Sequence, residues 1–153
     1  MRFKTRRFGE IEVNEEEVFE FEKGLFGFEE LKRYVLIDIH QNPAFKWLQP
    51  VDDSEVAFLL VDPFLVKKDY YVEIDDQLKT ELEIEKEEDV LVYTIVTVPQ
   101  TGFRNATTNL IGPLVINIKK RKGRQIIVER DDLTIKYPLF LQNYVNKKTS
   151  SGG

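Results

Sequence analysis

Cysteine is absent from the chain, which excludes disulfides, thiolate metal ligands and a thiol nucleophile. Histidine occurs once, at His40, so no multi-histidine zinc centre can be assembled. That residue follows a strand-like run and precedes Gln41-Asn42-Pro43, a setting for a surface turn. Serine is confined to Ser54, in a turn, and Ser150 and Ser151 near the end, and none lies in a G-x-S-x-G nucleophile pattern. Gly24-x-x-Gly27 lacks the lysine and spacing of a phosphate-binding loop. Long apolar stretches are missing too. The longest, Val56–Val61, is far short of the roughly 20 residues that span a bilayer. No apolar segment follows the charged start Met1-Arg2-Phe3-Lys4, so a signal peptide is not expected. These absences predict a cytoplasmic protein that is not an enzyme, holds no metal or cofactor and does not enter membranes.

Charge is plentiful but uneven. The net charge of −5 argues against general affinity for nucleic acid. Nine carboxylates lie between Glu10 and Glu30 and nine between Glu73 and Asp89, two-thirds of the 27 in the chain. Basic residues gather at Arg2, Lys4, Arg6 and Arg7, and again at Lys119–Lys122 and Arg124. Taken alone, each cluster reads as the solvated face of a strand or turn. The basic stretch lacks the interleaved aromatics that would stack bases. Carboxylate pairs such as Asp52-Asp53 and Asp75-Asp76 suit turns and helix caps better than acid–base chemistry.

At 153 residues the chain fits one domain, with enough length to bury a core without staples. The region from Trp47 to Pro63 dominates the pattern. It holds the only tryptophan, a turn signal at Pro50–Ser54, and the unbroken apolar run Val56–Val61. Such a run, stopped by Asp62-Pro63, predicts a strand buried on both faces. Val90–Val98 is the most β-branched run and predicts a second central strand. Further strands are expected at Tyr34–Ile39, Phe45–Leu48 and Asp69–Ile74. An N-terminal hairpin is expected over Phe3–Val13. Another should join Val115–Ile118 to Gln125–Val128 around Gly123. Gly24-Leu25-Phe26-Gly27-Phe28 reads as a tight turn with its large side chains pinned into the core, and Asp75-Asp76 as the cap of a short helix. Nine to eleven short strands with little helix predict an all-β, mostly antiparallel, barrel-like single domain over residues 1–145. Residues 146–153 are expected to be a flexible tail or an expression remnant.

Several motifs then occur in a recognisable order. They are Gly24-Leu25-Phe26-Gly27-Phe28-Glu29, Trp47 to Asp53, Ala57 to Pro63, Ile95 to Pro99, and Thr107 to Asn117. Together they resemble the FliW family of flagellar assembly factors over nearly the whole chain. Phe26 stands where proline is common, Pro50 and Ser54 differ in the turn, and Gly112 replaces a usual alanine. The resemblance implies a compact β-barrel-like domain without enzymatic activity, monomeric when free. It implies two partners: flagellin, and the dimeric RNA-binding repressor CsrA, which blocks the flagellin message. On this reading Asp52, Asp53, Glu55, Asp75 and Asp76 are candidates for pressing charge against CsrA, and Phe28, Phe64 and Phe103 for an apolar flagellin site. Alternatives are a barrel that binds a small ligand, or one that binds RNA directly through Lys119–Arg124.

Overall fold

The computed structural model describes residues 1–140, so the expected tail at 146–153 lies outside the described residues. Among the described residues, eleven strands and two short α-helices succeed one another. The first strands are β1 (Arg2–Thr5), β2 (Gly9–Glu12), β3 (Phe19–Glu20), β4 (Arg33–Asp38), β5 (Phe45–Pro50) and β6 (Phe58–Val61). Helices α1 (Pro63–Val66) and α2 (Asp76–Glu81) follow. The remaining strands are β7 (Val90–Thr97), β8 (Thr107–Thr108), β9 (Leu114–Asn117), β10 (Lys122–Gln125) and β11 (Tyr137–Pro138).

Strands β7-β6-β5-β4-β3-β10-β9 form a continuous sheet, and pairing of β9 back onto β7 closes it into a seven-stranded barrel. All of these pairs are antiparallel except β3 with β10. The long strand β7 makes closure possible. Its first half, Val90–Tyr93, pairs with β9, and its second half pairs with β6 and, at Val96 and Thr97, with β8. The all-β, barrel-like reading of the sequence therefore holds.

Period-2 alternation sorts the side chains between the two faces. Inward positions from successive strands, among them Tyr34, Leu48, Leu60, Tyr93, Leu114 and Ile116, pack as one buried cluster. A barrel of this size is filled by side chains and leaves no channel. The outward face is covered as well. Val61 and Val96 pack against Ala106, while Leu78 of α2 and Leu82 just past its end cover Val115 and Val90. This is why Phe58–Val61 and Val90–Val96 lack polar alternation: both of their faces are packed, whereas Val98, just past β7, is exposed.

Three sequence expectations fail for local reasons. Asp69 lies in a turn, and Tyr70–Ile74 joins no ladder. Instead Tyr70 buries its ring against Leu110 and Leu133, and its hydroxyl donates to the Leu110 carbonyl at 2.8 Å. The second hairpin turns at Lys119–Arg121, not at Gly123. Arg121 takes the left-handed conformation (φ 56°), and the buried Asn117 Oδ1 accepts from the Lys119 and Lys120 amides. Gly123 lies within β10, opposite Ile116, and β10 ends at Gln125, short of the expected Val128. In the glycine-flanked turn only Leu25 enters the core. Phe26 is 51% exposed, and Phe28 is also exposed. A bridge between Leu25 and Phe28 closes the turn, leaving Phe26 at its tip. Gly24 is required there: at φ 66°, a Cβ would stand 2.6 Å from the Glu29 backbone.

Candidate functional site

The Asp52–Glu55 turn is built from beneath by Gln49. This side chain is fully buried at the β5 end, and its Nε2 donates toward the carbonyls of Pro50 (2.9 Å), Asp53 (3.1 Å) and Val56 (2.9 Å). One amide thus shapes the whole acidic turn. Above it, each carboxylate has a definite partner. Arg33 donates from Nη2 to Asp52 Oδ1 at 2.8 Å and from Nε to Oδ2 at 3.3 Å. The two-pronged contact raises the Arg33 guanidinium above its ordinary value, chiefly through the hydrogen bond to Asp52. Asp53 Oδ1 accepts from the Glu55 amide at 2.9 Å, closing the turn locally. Glu55 reaches Arg6 Nη1 at 3.4 Å.

That arginine comes from the β1–β2 hairpin, a separate two-stranded sheet laid on the barrel. The Arg6 amide donates to the Ser54 carbonyl at 2.8 Å. Its neighbour Arg7 places a guanidinium 4.2 Å from the ring centroid of Trp47, and Phe8 meets the same ring edge-on at 5.9 Å. The tryptophan therefore sits outside the barrel, half-buried beneath the hairpin. Between hairpin and turn runs an open cleft of about 520 Å³, lined by Arg6, Arg7, Gln49 and Ser54–Ala57.

Asp75 and Asp76 occupy a different setting. Asp75 caps α2, its Oδ1 accepting from the Leu78 amide at 2.8 Å. Asp76 is exposed in the first turn, with no hydrogen bond or ion pair among the described residues. This pair borders grooves shared with Lys23 and Gln77, not the cleft beside Asp52–Glu55. At the far end of α2 the acidic and basic segments neutralise one another. Arg124 pairs with Glu81, and Lys122 pairs with Glu83, whose carboxyl it holds below the ordinary range mainly by hydrogen bonding. Of the basic stretch, Lys119 and Lys120 remain exposed.

The three candidate phenylalanines are all exposed but separate. Phe28 packs edge-on against Phe58 at 5.0 Å, Phe64 against Tyr70 at 5.7 Å, and Phe103 between Phe45 and Phe140 at 5.7 and 5.3 Å. Phe64 is held out by α1, where Asp62 Oδ1 accepts its amide at 2.9 Å and Pro63 opens the helix. Sequence reasoning missed the exposed Phe26 and Ile127, which border a groove of about 430 Å³ with Leu78 and Arg124. The glycines around Phe26 were a signal for that exposure, since a tight turn splays its side chains. Among the described residues no cluster of three or more histidine or acidic side chains could hold a metal ion, and no helix is long and apolar enough to cross a membrane.

A family model described as FliW protein matches residues 2–139. The chain belongs to the FliW family. The flagellar assembly factor FliW of Moorella thermoacetica is 43% identical over 155 residues, covering 100% of this chain and 98% of that protein. Its counterpart in Clostridium novyi is also 43% identical, over 92% of this chain and 97% of that one. A solved structure, described as the crystal structure of the flagellar assembly factor FliW, superposes with a TM-score of 0.82 at 35% identity, across 92% of this chain and 97% of that one. The family is one of flagellar assembly factors and is not a known enzyme family. The barrel is thus that of a FliW protein.

Proposed function

We propose that this FliW-family chain is a non-enzymatic, cytoplasmic regulator of flagellar assembly with two alternative partners. It binds flagellin. When flagellin is exported and the chain is free, it binds CsrA and relieves repression of the flagellin message. The observation that carries the reading is membership of a flagellar assembly factor family across residues 2–139. The acidic surface adds a physical route. CsrA must present basic groups to RNA phosphates, and a docked acidic protein would repel RNA without covering its site. Such coupling is reciprocal, so RNA must weaken binding of this chain to CsrA by the same factor.

The test is a set of pull-downs with flagellin and CsrA, first separately and then together. Each partner alone should be retained, and excess flagellin should displace CsrA. Stable retention of both at once would defeat partner switching. Failure to retain CsrA at all would remove the regulatory half of the reading.

A further inference from the structure

We propose that the cleft between the β1–β2 hairpin tip and the Ser54–Ala57 segment binds the side-chain carboxylates of an acidic peptide segment. This rests on the cleft's own geometry and goes beyond the partner-switching reading. In a chain of net charge −5, the cleft sets two guanidiniums, Arg6 and Arg7, against a single carboxylate, Glu55. Both arginines ride on a fixed tip, because Thr5 Oγ1 accepts from the Phe8 amide and donates to the Gly9 carbonyl, each at 2.8 Å. Glu55 shows what the cleft takes: its own carboxylate stands at Arg6 Nη1 as an internal occupant, 3.4 Å away. That pair is a weak one, since its side chains are 79% and 67% exposed, and an incoming carboxylate can replace it.

The size of the cleft favours a peptide over a free anion: about 520 Å³ holds a short run of residues, far more than a single small anion fills. Guanidinium forks match the planar carboxylate, which accounts for arginine here in place of lysine.

Trp47 reports on the site. It is the only tryptophan, and Arg7 lies over its ring, so a ligand that draws Arg7 away changes its emission. The full chain is titrated with acetyl-Ala-Glu-Glu-Ala-amide, with acetyl-Ala-Gln-Gln-Ala-amide as the uncharged control. Backbone amide shifts of Arg6–Phe8 and Ser54–Ala57 are followed in parallel. A saturable response to the acidic peptide alone is expected, weakened about tenfold or more in Arg6→Gln, which loses a charge-assisted contact. Glu55→Gln removes the internal competitor and should tighten binding by about two- to fivefold, the range of an exposed ion pair. Circular dichroism confirms that both surface variants stay folded. Equal responses to both peptides, silence in emission and shifts alike, or weaker binding by Glu55→Gln would each overturn the proposal. Repulsion of RNA by the acidic turn calls for the opposite sign at Glu55, where loss of charge weakens the effect, so the two ideas fail separately.

Discussion

The ring of Phe21 fills the space that a side chain on Gly123 would need. A Cβ built at Gly123 stands 2.4 Å from Phe21 Cζ and within 2.9 Å of two further ring atoms. Phe21 is completely buried in the barrel interior, so the ring cannot swing aside into solvent. Gly123→Ala should therefore destabilise the fold by about 1–3 kcal/mol, the usual cost of overpacking. Urea denaturation reads this as a lower midpoint at unchanged slope. Phe21→Leu in the same chain should recover part of the loss, since contacting residues do not add independently. An unshifted midpoint for the single variant would mean that the sheet yields there instead.

Gln49→Leu tests the support beneath the acidic turn. Three carbonyls, those of Pro50, Asp53 and Val56, share its amide. Loss of the donor should cost about 1–3 kcal/mol, since it strands buried acceptors. Amide hydrogen exchange should quicken between Val51 and Ala57 more than in β7. Uniform acceleration throughout the barrel would assign Gln49 a global role and not this local one.

Ionisation gives the protein two pH limits. Lys46 holds the Asp38 carboxyl below its ordinary range, chiefly by hydrogen bonding, and Lys67 does the same for Asp69. With folded values lowered, the unfolded chain binds more protons in acid. Stability from these groups is thus present above about pH 4 and lost as pH falls through the folded values. Asp38→Asn should flatten the fall of Tm between about pH 5 and pH 2. On the alkaline side, burial pushes the phenols of Tyr70 and Tyr93 up to about 12 and that of Tyr34 higher still. Their raised values keep stability in place below about pH 10 and remove it as pH climbs toward the folded values. Absorbance titration at 295 nm should show three of the six tyrosines ionising late, together with unfolding. Six tyrosines titrating together near pH 10 would contradict that burial.

Where both faces of a strand are covered, the sequence announced it. The runs that became β6 and β7 are apolar without a break or nearly so, and Asp62-Pro63 marked the strand end by capping α1. Gly123 misled because glycine serves both turns and close packing, and only the position of Phe21 separates the two. Tyr70 misled because a β-rich composition can serve a crossing segment whose hydrogen bonds go elsewhere. The acidic character of the site was legible, but its neutralisation was not. Arg33 meets Asp52 across 19 residues, Arg124 meets Glu81 across 43, and Arg6 meets Glu55 across 49. Such pairings exist only once the barrel has closed and the hairpin has folded over it.

The separation of the two acidic groups decides how the proposed antagonism of CsrA should respond to substitution. Asp52, Asp53 and Glu55 share the Gln49-supported turn, whereas Asp75 and Asp76 stand at the start of α2 beside Lys23 and Gln77. At physiological ionic strength fields decay over about 8 Å, so only the group facing CsrA can press on its RNA site. Neutralising Asp52 and Glu55 together, or Asp76 alone, should therefore give unequal losses of RNA release, one substantial and the other near zero. Asp75 is left unaltered because its loss would cost the α2 cap about 1 kcal/mol and confuse folding with charge. Fluorescence anisotropy of labelled RNA on CsrA, with this chain added, measures the release. The effect should also shrink as salt rises from 50 to about 300 mM, since screening shortens the field further. Equal losses from the two groups, or release that ignores salt, would replace electrostatic repulsion with direct blocking of RNA or a change of shape in CsrA.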